Sequence, residues 1–109
     1  MVLPREGARP IDVPVRKIDD MVKELNLPRV SFIKMDIEGA EREALKGSLE
    51  TLRAHRPRLM IDSYHRPDDM EVLPGIIRQA HPDYRIACGP CEPTQEGPKR
   101  LIPHVTFYY

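Results

Sequence analysis

Two apolar runs in this sequence end in residues that hold polar ligands and move protons. Val30 to Ile37 is rich in β-branched and aromatic residues and carries Asp36, with Glu38 and Gly39 directly after it; Leu59-Met60-Ile61 runs into Asp62, Ser63, Tyr64 and His65. Carboxylates and an imidazole exchange protons and bind polar groups. Gly39 permits close backbone approach, or a tight entry into a following helix whose positive end would lie near the acidic residues. Asp36, Glu38, Asp62, Tyr64 and His65 are therefore the candidate site. A structural role is equally open to Asp36 and Glu38, which could cap that helix and balance its dipole. For Tyr64 the alternative to lining a pocket is ordinary packing with a solvated hydroxyl.

For these residues to meet, both runs must be parallel strands of one sheet. Ile11, Val13 and Val15 alternate around Pro14, which predicts a short edge strand. A helix follows, with Asp19 as its cap, Ile18, Met21, Val22 and Leu25 on one face, and Asn26 and Pro28 at its end. Beyond Gly39 the residues Ala40, Ala44, Leu45, Leu49 and Leu52 recur at helical period, predicting one helix of about four turns stopped by Pro57. Asp68 or Asp69 caps a third helix carrying Met70, Val72, Leu73, Ile76, Ile77 and Ala80; Pro82 ends it, and Pro74 is tolerable only near its first turn. Tyr84 to Ala87 reads as a short strand, residues 88–100 as a segment rich in Pro and Gly, and Leu101 to Tyr109 as a last strand. The alternation defines an α/β fold with parallel strands, right-handed crossover helices and a closing antiparallel pair at an edge. Ligands bind such sheets outside the carboxyl ends of the strands, where both candidate clusters fall. Lys34 alternates away from Met35 and is read as structural, His55 is assigned no chemistry, and Met21, Met35, Met60 and Met70 read as core filler.

Composition narrows the function. A chain of 109 residues has room for one domain, with residues 1–10 a lead-in and 11–109 the α/β portion. Lys plus Arg and Asp plus Glu both number 17, so nothing favours bulk nucleic-acid binding. No stretch approaches the roughly 18 apolar residues of a membrane span, no signal-peptide core follows Met1, and a cytoplasmic location is expected. With 12 prolines and no Trp the core is lean enough to draw on a partner. Cys88-Gly89-Pro90-Cys91 has the spacing of a thiol-disulfide motif. The residues after it, Glu92 to Pro98, cannot form the helix that would lower a thiol pKa, and a Gly-Pro turn flanked by thiols is the simpler reading. His81 and His104 complete no zinc-type spacing with these cysteines, and no metal site is predicted. The six glycines never stand as G-x-G, so no nucleotide-type Gly loop can be drawn.

The segment Ile33-Lys34-Met35-Asp36-Ile37-Glu38-Gly39-Ala40-Glu41, followed by Leu45-Lys46-Gly47 and Arg56-Pro57, resembles the FkbM family of S-adenosylmethionine-dependent methyltransferases. Val13-Pro14-Val15 with Ile18-Asp19 is similar to the family's lead-in, and Tyr64-His65-Arg66-Pro67-Asp68-Asp69 with Pro82-Asp83-Tyr84-Arg85 resembles one of its branches. Residues 11–87 and His104 to Tyr109 fit the pattern; the segment 88–103 departs from it. The resemblance implies the C-terminal half of a Rossmann-like class I methyltransferase fold, residues 1–109 being a partial domain without the donor-binding N-terminal half, and the strand ending at Asp36 being central beside the donor. It further implies S-adenosylmethionine as cofactor, with Asp36 at its methionine end or at the acceptor hydroxyl. Asp36, Glu38 and His65 are then the catalytic candidates, one of them removing the hydroxyl proton. Tyr64 and Asp62 would touch the acceptor, a small molecule, sugar or lipid. On this reading the chain is the acceptor-side half and is expected to be inactive alone. Two rival readings are a stand-alone binding module that dimerises through an exposed sheet edge, and a thiol-disulfide protein using Cys88 and Cys91.

Overall fold

Side-chain alternation separates a buried from an open face of the sheet. In the computed structural model, which describes residues 6–93, 97–98 and 101–109 (the side chains of residues 92 and 101–103 excepted), β1 (Phe32–Met35) runs parallel to β2 (Arg58–Asp62), with Met35 opposite Ile61. β6 (Val105–Tyr108) lies antiparallel to β2 on its other side, and β3 (Ile86–Cys88) lies antiparallel to β6. The sheet order is β1-β2-β6-β3. Met35, Leu59, Ile61, Thr106 and Tyr108 point to the face that is buried, while Lys34 and Phe107 lie on the face left open. That period-two pattern is what one covered sheet face requires.

Four helices accompany the sheet among the described residues: α1 (Ile18–Glu24), α2 (Glu41–Lys46), α3 (Leu49–His55) and α4 (Asp69–Ala80). Leu45, Leu52, Leu73, Ile76 and Ile77 bring their apolar faces together with Met35, Leu59, Ile61, Tyr84 and Tyr108 in one core. Tyr84 closes that core by donating its hydroxyl to the carbonyl of Pro57 at 2.6 Å. A second, two-stranded sheet pairs β4 (Cys91–Pro93) with β5 (Leu101–Pro103).

The architecture is α/β with a mixed sheet, and several expectations are corrected. Residues 11–15 form no strand: Ile11 and Val15 are 81% and 95% exposed, so their alternation had no sheet to serve. The helix expected through residue 53 is two helices, broken at Gly47 and Ser48. Gly47 costs helix stability, and here its carbonyl accepts from the Asp19 amide at 2.9 Å while Lys17 Cγ lies 3.2 Å from where a Cβ would stand. Asp19 does not cap its own helix; it caps α3, accepting from the amides of Glu50 and Thr51 and from the Thr51 hydroxyl. Asp68 takes the cap position of α4 without a side-chain cap bond, and Pro74 sits buried in the second turn of that helix. Met21 is exposed rather than core.

The closing strands also differ. β6 does not sit at the edge but inserts between β2 and β3, and His104 separates it from β5, so Leu101 to Tyr109 is not one strand. The strand expected at Tyr84 to Ala87 begins at Ile86. β1, which the family resemblance placed centrally, is here an edge strand. Parts of the lead-in (1–5) and of the Pro- and Gly-rich segment (94–96 and 99–100) lie outside the described residues. No helix among the described residues is long and apolar enough to cross a membrane.

Candidate active site

The carboxyl ends of the parallel pair lie side by side, so the turn after β1 and the loop after β2 share one rim. The turn is shaped by its backbone. Glu38 and Gly39 both take positive φ, 58° and 101°, a pair of left-handed residues that reverses the chain between β1 and α2. A non-glycine residue at such a φ is uncommon and marks a place where local strain is retained. Glu41, at the start of α2, folds back into this turn: one carboxylate oxygen accepts the amide of Ile37 at 2.9 Å and the other the amide of Gly39 at 3.0 Å. Its side chain is 1% exposed.

His65 reaches this turn from the loop after β2. Its Nδ1 lies 3.2 Å from Glu41 Oε1, and its Nε2 lies 3.6 Å from Glu38 Oε2 and 3.8 Å from Asp36 Oδ1. The imidazole side chain is 9% exposed, yet neither ring nitrogen makes a hydrogen bond: Nε2 lies beyond bonding distance of Glu38 and Asp36, and Nδ1, although close to Glu41, makes none with it. Buried polar atoms without partners are rare in folded proteins and call for an explanation at each site. Tyr64 stacks on the His65 ring, with centroids 4.4 Å apart, and remains half exposed. Behind it the hydroxyls of Ser63 and Thr106 lie 2.5 Å apart, and the Ser63 amide donates to the His104 carbonyl, fastening the loop to β6.

Charge is concentrated here. Burial pushes the Asp62 carboxyl above its ordinary value, and hydrogen bonding and charge from Asp36 add to the shift. The Tyr64 phenol is likewise raised, first by burial and then by Asp36, Asp62, Glu38 and Glu41. Among the described residues, the ion pairs of Asp36, Glu38 and Glu41 all go to His65.

The structure thus brings Asp36, Glu38 and His65 together and places Asp62 and Tyr64 beside them. It also adds Glu41, which helical periodicity assigns to a solvated face. The signal for Glu41 lies in the turn rather than the helix: a Gly two residues before a helical Glu leaves loop amides that need an acceptor. Cys88 and Cys91 stand elsewhere, bonded to each other across a strand-to-strand turn with no helix behind them.

Comparison with known proteins gives the family. Open α/β sheets bind ligands outside the carboxyl ends of their parallel strands, which is where this rim lies. Residues 2–86 match the model of the methyltransferase FkbM domain, and the chain belongs to that family. It is 40% identical over 47 residues to the 2-O-methyltransferase NoeI of Sinorhizobium fredii, a stretch covering 43% of this chain and 19% of NoeI. Its fold is similar to the crystal structure of methyltransferase FkbM from Methylobacillus flagellatus KT, with a TM-score of 0.65 and 36% identity over 86% of this chain. That match covers 22% of the Methylobacillus chain, so in both comparisons the matched stretch spans about a fifth of the relative's length.

Proposed function

We propose that this chain contributes the acceptor side of an S-adenosylmethionine-dependent O-methyltransferase acting on a hydroxyl group of a small molecule, sugar or lipid. The observation that carries the reading is the nine-tenths buried imidazole of His65, flanked by Glu41 at one nitrogen and by Asp36 and Glu38 at the other. Membership of a methyltransferase family and a match to a 2-O-methyltransferase support it.

The half-exposed carboxylates of Asp36 and Glu38 suit the cationic methionine end of the donor, while the chain has no G-x-G loop for the remainder. When bound, the donor supplies an electrophilic methyl whose bond to sulfur breaks, with its electron pair, as the new C–O bond forms. The residues of this chain then have two tasks. The centre formed by Asp36, Glu38 and His65 accepts the hydroxyl proton, and Tyr64 and Asp62 hold the acceptor so that its oxygen lies in line with the methyl. Titration of S-adenosylmethionine into the folded chain, followed by calorimetry, tests this: no saturable binding is expected of an acceptor-side half, and saturable binding that Asp36→Ala abolishes would place a donor site within this chain and overturn the acceptor-side assignment. Binding that survives Asp36→Ala removes Asp36 from the donor site.

A second reading has its own observation. The outer edge of β1 has no strand beside it among the described residues, Phe32 there is 56% exposed, and with Phe107 and Tyr109 it lines a hollow of 290 Å³. An open edge beside apolar surface favours pairing with a second copy of the chain. Sedimentation at rising concentration tests this, and a monomer throughout overturns it.

A further inference from the structure

The geometry points to a divalent cation site formed by Asp36, Glu41 and His65. One ligand atom from each lies within 4.8 Å of the others. Ligands held tetrahedrally at about 2.1 Å from an ion stand about 3.4 Å apart, so the longest separation must close by up to about 1.4 Å, a shift that rotation of the half-exposed Asp36 side chain can supply. Proximity of acidic groups alone carries no such assignment. The independent observation is His65: its side chain is 9% exposed, it faces the cluster, and both of its ring nitrogens lack a hydrogen bond. A buried imidazole without hydrogen bonds is costly; a cation accepting the lone pair of one nitrogen satisfies that nitrogen and leaves the other N–H for a carboxylate of the same cluster.

Two further features fit. Glu41 is held in place by the amides of Ile37 and Gly39, an anchoring that leaves lone pairs on both oxygens for an ion. The ion pairs that Asp36, Glu38 and Glu41 make among the described residues go to His65, so no lysine or arginine neutralises the cluster through such a pair. One imidazole and two carboxylates form a mixed nitrogen and oxygen set, which suits a first-row transition ion from Mn²⁺ to Zn²⁺ better than Ca²⁺. The assignment rests on the methyl-transfer reading for its use and narrows the roles within it: with Asp36 and His65 given to the cation, three protein ligands leave open positions for the acceptor hydroxyl, whose pKa a bound cation would lower, and Glu38 alone of the three candidates remains to take the proton.

The test is titration of Co²⁺ into the full chain with its disulfide intact, followed by d–d absorption and calorimetry. One saturable equivalent with an imidazole-type spectrum is expected, weakened at least about tenfold by His65→Ala and by Asp36→Asn. Asp36 is half exposed, so the second variant keeps the fold if the first does not; circular dichroism verifies both. His81→Ala, remote from the cluster, retains the binding. Absence of saturable binding by the folded chain, or equal binding by both variants, overturns the site. Donor titration is a separate readout: a chain that takes Co²⁺ but not S-adenosylmethionine keeps both the cation site and the acceptor-side reading, and one that takes S-adenosylmethionine but not Co²⁺ loses the cation site.

Discussion

Two buried polar centres, one at the start of α3 and one at the start of α2, are built on opposite principles. At the first, Asp19 is 9% exposed and fully occupied: its carboxylate accepts from the Glu50 amide at 3.1 Å, the Thr51 amide at 2.8 Å and the Thr51 hydroxyl at 2.6 Å. It closes the N-terminus of α3 from another helix. At the second, Glu41 is equally occupied by two amides, but the His65 ring against it has no hydrogen bond at all. A protein builds the first kind of centre for stability, because an unmet buried donor costs more than a met one contributes. The second kind persists only where something besides stability retains it. Buried charge alone therefore does not mark a site; buried polarity left unmet does.

Breaking the first centre has the largest expected effect. Asp19→Ala orphans two amides at the start of α3 and a buried hydroxyl, and about 3 kcal/mol of stability should be lost, read by urea denaturation. Asp19→Asn, which keeps one oxygen acceptor, should recover part of it. A loss under about 0.5 kcal/mol would mean that water replaces the carboxylate and that the two centres do not differ in kind.

The turn that carries the second centre comes next. At Gly39 an added Cβ meets only His65 Cβ, at an ordinary 3.9 Å, so space is not the obstacle; the φ of 101° is. Gly39→Ala should cost about 1–2 kcal/mol through backbone conformation, and the loss should appear in denaturation without any change in the packed core. Smaller still, and opposite in direction, is His65→Phe. Replacing a buried imidazole that makes no hydrogen bond by an apolar ring of similar shape should leave stability unchanged or raise it by up to about 1 kcal/mol, since Glu41 keeps its two amide donors. A clear destabilisation by His65→Phe would show that the imidazole holds the fold, and the contrast between the two centres would fail.

How much of this was legible in the sequence follows from which signals are local. β2, α1 and α4 come from apolar patterning and from Pro and Gly punctuation and emerge close to their observed limits, whereas β1 occupies only the middle half of the run Val30 to Ile37. Asp36, Glu38, Asp62, Tyr64 and His65 were legible because strand ends in α/β sheets are where ligands bind, and the structure does bring them to one rim. Glu41 was not, since its role depends on amides that a positive-φ turn exposes. The break at Gly47 and Ser48 was hidden by apolar residues that keep the helical period across it. The cap that Asp19 provides spans 32 residues to Thr51, which no local pattern encodes. Ile11, Val13 and Val15 show the converse: alternation was present, but a strand needs a neighbour, and these residues have none among the described strands.

The smallest expected effect concerns Asp68, and it sharpens the contrast from the surface. Arg42 bridges two carboxylates at the start of α4: it pairs with Asp69, which is buried and also accepts the Arg66 amide, and with Asp68, which is exposed. The hydrogen bond from Arg42 holds the Asp68 carboxyl below its ordinary value of 3.8. A depressed carboxylate contributes stability that is fully present above the unfolded value and lost as pH falls through the folded one. The contribution of this pair should therefore be constant in neutral solution and fade only on acidification below 3.8. Asp68→Asn should flatten that acid limb slightly in denaturation midpoints taken across pH, and leave the neutral plateau almost where it was, because an exposed ion pair is screened by solvent. A large drop on the plateau would place Asp68 with Asp19 among the structural carboxylates, and would show that Arg42, rather than burial, decides which carboxylates hold this fold.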